Sequence, residues 1–128
     1  MILILALALS TAPTELCSMD GPQQAMNQCA YQQFVAADKD LNALWPKAVA
    51  SAKESDKQRD PKYDNRPGDF ETLRAAQRAW ITFRDTHCTM EGYQARGGSM
   101  EPMLFNLCRE TLTRTRISQL ESMLEGIG

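Results

Sequence analysis

The sequence predicts an all-α protein, a three-helix antiparallel bundle held by two disulfides. Three observations predict this fold: three stretches in which apolar residues recur every three or four positions, no sustained alternation with period two, and four cysteines in a short chain. A chain of 128 residues has room for one domain around one core. Its composition, with 43% hydrophobic and 23% charged residues, is ordinary for a globular protein.

The first predicted helix runs from Pro22 to about Ser55. Residues 20–22, Asp-Gly-Pro, supply a capping side chain and a proline that the first turn tolerates. Pro46 removes one backbone hydrogen bond and crowds the preceding turn, so we expect a kink or a break near residues 42–45. The apolar stripe of this helix consists of Met26, Ala30, Phe34, Ala37, Leu41, Leu44, Ala48 and Ala52.

Two further helices are predicted after residues 53–69, a strongly polar segment that we interpret as a solvated linker. The second helix runs from about Asp69, its candidate N-cap, to Met90, and the third from Met103 to about Glu125. The stripe of the second helix is Phe70, Leu73, Gln77, Trp80, Arg84 and His87, and that of the third is Leu104, Cys108, Leu112, Arg116, Leu120 and Leu124. Because each helix has a single apolar stripe, packing all three against one another is the economical arrangement.

The four cysteines favour two disulfides over a metal site, because the chain has no CxxC pair and a single histidine. If the helices alternate in direction, Cys29, Cys88 and Cys108 share one pole of the bundle, with Cys17 just upstream. Pairing Cys88 with Cys108 would close the glycine-rich loop and leave Cys17 with Cys29. Pairing Cys29 with Cys88 remains an alternative. We predict no metal and no cofactor.

The first nine residues are almost purely apolar and are followed by Ser-Thr-Ala, which is typical of an export signal. We therefore expect a signal peptide at residues 1–12 and a helical domain at 17–125. No Lys or Arg precedes the apolar run, so we interpret the signal as incomplete at its start. The alternatives are a buried N-terminal helix and a lipid anchor at Cys17, although small residues are missing before that cysteine.

Composition and motifs argue against two classes of function. A formal net charge of −2 provides no basic field for nucleic acid. His87 and Cys88 are neighbours on a predicted helix, where side chains point about 100 degrees apart, so they cannot form a catalytic dyad. The chain contains no P-loop, GxSxG or HExxH motif, and we predict that it is not an enzyme.

Polar residues on or beside the buried stripes are the unusual feature of the sequence. A buried charge is costly unless it is paired, so we expect Asp38 or Asp85 to contact Arg84 or Arg116, with Asp38 and Arg84 as the first choice. We interpret this network as structural, fixing the helix register, with ligand binding as the alternative. The predicted network comprises Asp38, Asn42, Gln77, Arg84, Asp85 and Arg116.

Four runs carry a resemblance to a known family: AADKDLNALW, LRAAQRAWITFRDTHC, GGSM and LCRETLTRTR. They resemble the LprI-like lysozyme-inhibitor family, in which an aspartate and a Leu-Asn pair on one helix precede a Gln-x-x-Trp, Arg-Asp and Cys run on the next. The resemblance extends from about Cys17 to Leu120, and Pro46 departs from it. The matching positions are Asp38, Leu41, Asn42, Gln77, Trp80, Arg84, Asp85, Cys88, Gly97, Gly98, Ser99, Cys108, Leu112, Thr113 and Arg116.

The resemblance implies an exported bacterial protein of the cell envelope, periplasmic or secreted, with no transmembrane segment in the mature chain. It implies a protein partner, lysozyme or another cell-wall hydrolase, occluded by a rigid scaffold. We expect the loop between Met90 and Met103 to enter the partner's cleft. The alternative is a structural or stress-related envelope module that binds another protein or a small ligand without inhibiting lysozyme.

Overall fold

Three long helices make up the fold. The computed structural model describes residues 17–126, so the predicted export signal lies outside the described residues. The helices are α1 (Gln23–Gln58), α2 (Asp69–Gly92) and α3 (Glu101–Glu125), with a 3-10 turn at Tyr93–Ala95 between the last two. The described part of the chain contains no strand, and the predicted all-α, three-helix fold is confirmed.

The helices alternate in direction, and α1 makes its most extensive contacts with α3. Asn27 near the start of α1 meets Ser99 just before α3, and Asp40 further along α1 meets Arg114 further along α3, so these two helices run parallel. Asp56 near the end of α1 instead contacts the first turn of α2, which therefore runs antiparallel to α1. None of the three helices is long and apolar enough to cross a membrane.

The centre of the core is formed by Leu41 and Ala48 of α1, Leu73 of α2 and Leu120 of α3. Trp80 packs against this cluster, as expected of a core residue, although its side chain is half-buried. The predicted stripe of α2 is wrong at its C-terminal end, since His87 is exposed. The side of α2 that carries this residue faces solvent.

Pro46 does not interrupt α1, which continues as one helix from Gln23–Gln58. The predicted break is therefore wrong, and a kink remains a prediction. Pro46 itself is exposed, whereas Trp45 before it and Ala48 after it pack at the core. Tertiary packing on both sides compensates for the missing backbone hydrogen bond.

The connection between α1 and α2, residues 59–68, is mostly exposed to solvent, as its composition predicted, and is also ordered by its own hydrogen bonds. The predicted linker is wrong at its start, since residues 53–58 belong to α1. Arg59 Nη1 donates to the carbonyl oxygens of Asp64 and Arg66, at 3.2 and 2.7 Å. The side chains of Asp64 and Arg66 form an ion pair at 2.7 Å. The polar residues of this segment therefore bond to one another and to its backbone.

A side chain from α1 caps the start of α2. Asp56 accepts hydrogen bonds from the backbone N–H groups of Asp69 at 2.6 Å and Phe70 at 3.1 Å. Asp69 was predicted to be the N-cap, but it is the first helical residue and Gly68 precedes it. A Cβ at Gly68 would lie 2.6 Å from Asp56 Oδ1, so the close approach of this carboxylate requires glycine there.

We expect the Asp56→Ala substitution to lower the melting temperature at pH 7 and to have a progressively smaller effect as the pH falls below the unfolded pKa of the carboxyl. The hydrogen bonds from Phe70 and Asp69 hold the pKa of Asp56 below its usual value. A lowered pKa in the folded state means that the stabilisation is present above the unfolded pKa, about 3.9, and is lost as the pH falls through the folded pKa. Thermal melts followed by circular dichroism over this pH range measure the effect.

The matched control is Glu54→Ala, which removes an exposed carboxylate on the same helix end. Its partner, Lys57, lies 3.3 Å away and is also exposed, so the pair contributes little. Equal melting temperatures for the parent protein and Asp56→Ala at pH 7 would contradict the assigned capping role.

Candidate functional site

Two disulfides lie at one end of the bundle, which we name the disulfide pole: the start of α1, the end of α2 and the start of α3. The pairs are Cys17–Cys29 and Cys88–Cys108, with Cα separations of 5.5 and 5.4 Å. The predicted two disulfides are confirmed, and the alternative pairing of Cys29 with Cys88 is wrong. No cysteine in the described part of the chain is free.

The loop that joins α2 to α3 at this pole is fixed at both ends. We name residues 93–100 the pole loop. Asn27 Nδ2 donates to the carbonyl oxygen of Ser99 at 2.7 Å, and Gln23 Nε2 donates to Asn27 Oδ1 at 2.8 Å. Gly97 has a φ of 77°, a conformation that favours glycine, and the N–H of Gly98 returns to the carbonyl of Ala95 at 2.8 Å. The disulfide, α1 and these turns therefore restrain the loop.

The pole loop and its flanks expose large apolar side chains. Tyr93 is 43% exposed, and Met90 and Met100 on either side of it are also exposed. The Arg96 guanidinium lies 4.2 Å from the centroid of the Tyr93 ring, within the range of a cation–π contact. Tyrosine, methionine and arginine are the residues enriched at protein interfaces. This surface can contact a partner protein without first rearranging.

Arg84 is the buried centre of the first group of predicted network residues. Its Nε lies 3.0 Å from Asp85 Oδ1 and its Nη1 lies 3.4 Å from Asp38 Oδ1, which was its first predicted partner. Nη1 is also 3.4 Å from Thr113 Oγ1, and Asn42 donates to Asp38 at 3.4 Å. The structure thus brings four of the six predicted residues together. Arg84 forms ion pairs with two carboxylates, both of which are half-exposed.

Aromatic rings flank the same arginine. The Arg84 guanidinium lies 5.1 Å from the ring centroids of both Phe34 and Trp80. A planar guanidinium stacks well on aromatic faces, so this arginine contributes packing as well as charge. A role for the group in setting helix register stays a prediction.

Arg116 and Gln77 form a second group, separate from the first. Arg116 Nε donates to Gln77 Oε1 at 2.9 Å and Nη1 donates to Gln119 Oε1 at 3.2 Å. We expected a carboxylate partner for the network arginines, but within residues 17–126 no Asp or Glu lies at ion-pair distance from Arg116. Burial lowers the pKa of Arg116. Among the described residues, the side-chain hydrogen bonds of Arg116 go to the neutral amide oxygens of two glutamines.

Sequence reasoning missed a third polar group, in which Arg109 lies between two phenylalanine rings. Its guanidinium is 3.6 Å from the Phe34 centroid and 4.3 Å from that of Phe105, and Nη2 donates to Asn106 Oδ1 at 2.6 Å. Burial is the main cause of a lowered pKa at Arg109, opposed by the charge of Asp85. Asn106 and Arg109 are three residues apart on α3. This spacing places two side chains on the same face of a helix, so it could have indicated their contact.

The disulfide pole does not provide thiol or thiolate chemistry. His87, Glu91 and Cys108 have ligand atoms within 4.8 Å of one another, but the sulfur of Cys108 is bonded to Cys88. His87 Nε2 instead lies 3.3 Å from Glu91, and its ring stacks on Phe83 with centroids 5.2 Å apart. The geometry therefore suits protein contact better than metal binding or nucleophilic catalysis.

Comparison with known proteins gives one family and one relative. Residues 17–120 match the family described as Lysozyme inhibitor LprI. An uncharacterised protein of Rhizobium meliloti (strain 1021) is 41% identical over 113 residues, which cover 88% of this chain and 81% of the relative. No solved structure matches the chain.

Proposed function

The chain belongs to the LprI lysozyme-inhibitor family, and we propose that it is an exported envelope protein that binds lysozyme or a related cell-wall hydrolase and occludes its cleft. The family description supports a protein partner and a role without catalysis. Two disulfides support a periplasmic or secreted location, because disulfides persist in oxidising compartments.

The observation that carries the proposal is the pole loop with its exposed Tyr93. A binding loop that is already ordered loses little conformational freedom when the complex forms, which favours affinity. The Cys88–Cys108 disulfide and the Asn27 to Ser99 hydrogen bond provide that order here. Arg96 beside the tyrosine adds a polar anchor at the same surface.

Affinity is expected to come from short-range contacts at the pole loop. The formal net charge is only −2, so long-range attraction to a basic enzyme is weak. Inhibition that persists in moderate salt would fit this account, since exposed charges are screened within about 10 Å at 0.1 M ionic strength.

We expect Tyr93→Ala to weaken lysozyme inhibition about 30-fold, the effect of a residue that contributes about 2 kcal/mol to an interface. The measurement is the inhibition constant against lysozyme acting on a peptidoglycan suspension. Because Tyr93 is 43% exposed, its loss should leave the melting temperature nearly unchanged.

Tyr63→Ala is the matched control, since Tyr63 is 81% exposed in the connection between α1 and α2, remote from the pole loop. It should inhibit like the parent protein. If the parent protein allows full hydrolysis at large molar excess, the proposed function is wrong. If Tyr93→Ala inhibits normally, the inhibitory surface lies elsewhere than the pole loop.

A further inference from the structure

A groove of about 400 Å³ opens among the three helices at the end opposite the disulfide pole. Ala52 of α1 and Ala76 of α2 are small side chains that leave this space unfilled, and Leu73, Leu120 and Leu124 provide apolar walls. Pockets that hold small ligands have volumes of about 300 to 1,000 Å³, are mainly apolar and contain a few placed polar groups. The groove has the size and composition of such a pocket.

Arg116 is the cation in the lining of this groove. It differs from Arg84 and Arg114, each of which faces an aspartate, because its hydrogen bonds go to the amide oxygens of Gln77 and Gln119. A guanidinium has five N–H donors, and these two bonds engage only two of them. Arg116 therefore retains donors for an anion. Burial also lowers its pKa, so an anionic ligand would offset the cost of its charge.

The groove has an inner and an outer end. Arg116 and Leu124 are eight residues apart on α3, which corresponds to about 12 Å of helix axis. Helix α2 runs in the opposite direction. Gln77 of α2 lies beside Arg116, and Asp69, which lines the groove, is eight residues before Gln77. The cation thus lies at the inner end, and the carboxylate of Asp69 lies toward the outer end. This polarity would orient a ligand with its anionic group inward.

We propose that the groove binds a linear amphiphile with a single carboxylate, of the fatty-acid class. The carboxylate meets Arg116, whose Nη2 takes part in neither of the hydrogen bonds to the glutamines. The aliphatic chain lies along Leu73 and Leu120 and ends near Leu124. This site goes beyond the proposed inhibition of a hydrolase, and because it lies at the opposite end of the bundle the two can be tested separately.

Titration of the full-length protein with sodium decanoate at pH 7.5 tests the proposal, with binding followed by calorimetry and by tryptophan fluorescence. Trp80 and Trp45 both pack against the core beside the groove, so ligand binding should change their emission. Decyltrimethylammonium and decanol carry chains of the same length with a positive and a neutral headgroup. We expect saturable 1:1 binding of decanoate, weaker binding of decanol and none of the cation. Equal binding of all three would overturn the assigned role of Arg116.

Arg116→Gln should weaken decanoate binding at least tenfold, the effect expected from losing one hydrogen bond to a charged group. Arg114→Gln is the matched control, because Arg114 is an exposed arginine on the same helix that pairs with Asp40. It should bind decanoate normally. Unchanged affinity in a folded Arg116→Gln variant would overturn the proposal.

Ala76→Phe provides a test that leaves Arg116 in place. Ala76 is exposed and lines the groove, so a phenylalanine there can fill the space without disturbing the core. We expect this variant to melt like the parent protein and to lose most of its decanoate affinity. Normal binding in Ala76→Phe would place the ligand outside the groove and refute the site.

Discussion

Leu120→Ala is expected to lower the free energy of unfolding by about 3 kcal/mol, within the range of about 2 to 5 kcal/mol for truncating a buried leucine. Leu120 is 0% exposed and packs against Leu41, Ala48 and Leu73 from the other two helices. Removing its side chain therefore weakens an apolar cluster to which all three helices contribute. Urea unfolding followed by circular dichroism gives the value.

Met123→Ala is the control for this substitution, since Met123 is on the same helix but 61% exposed. Its effect should stay within about 0.5 kcal/mol, as for most surface changes. A loss below about 1 kcal/mol for Leu120→Ala would mean that the helices do not depend on this core cluster.

Removing the Cys88–Cys108 disulfide is expected to cost about 3 kcal/mol of stability. The two cysteines are 20 residues apart, and in the chain-entropy model a closed loop of about this size contributes that amount. The double substitution Cys88→Ala with Cys108→Ala should also release the pole loop and so weaken lysozyme inhibition. Chemical denaturation and the inhibition assay measure the two effects on the same sample.

The double substitution Cys17→Ala with Cys29→Ala is the matched control. This pair closes a 12-residue separation next to α1 and does not contain the pole loop, so its loss should lower stability while inhibition persists below the melting temperature. The parent protein, denatured without reductant, should show no free thiols on titration. Two or more thiols per chain would refute both the disulfides and the export that they support.

The helices could be predicted from the sequence because each carries a continuous stripe of apolar residues, which is stable only when it is buried. In α1 the stripe residues Phe34, Leu41 and Ala48 are all buried, and this burial outweighs the helix-breaking tendency of Pro46. Cysteine spacing and the alternation of helix direction likewise pointed to Cys88 with Cys108. These features depend on local periodicity, which a single sequence records.

Contacts between residues distant in sequence could be predicted only where a buried charged side chain needs a partner of opposite charge. A buried Arg84 needs a carboxylate, and the structure places Asp38 and Asp85 beside it. With two carboxylates present, removing Asp38 leaves Arg84 still paired with Asp85. Arg116 shows the opposite case, because neutral glutamine oxygens replaced the expected acid.

The capping of α2 shows what local reasoning could not reach. Asp69 has the residue type and position of an N-cap, but the cap comes from Asp56, thirteen residues earlier. That arrangement depends on the path of the connecting segment, which Arg59 shapes through its hydrogen bonds to backbone carbonyls. No periodic signal in the sequence encodes such a path.

The pairing of the cysteines also determines the covalent topology of the protein. Each disulfide joins residues close in the chain, one beside the start of α1 and one between α2 and α3, and neither links α1 to the other helices. Closing such short loops costs less entropy than closing long ones, so each bond can form before α1 docks. Oxidation and assembly of the bundle are thereby uncoupled: α2 and α3 can form a cross-linked hairpin, onto which α1 folds through noncovalent contacts alone.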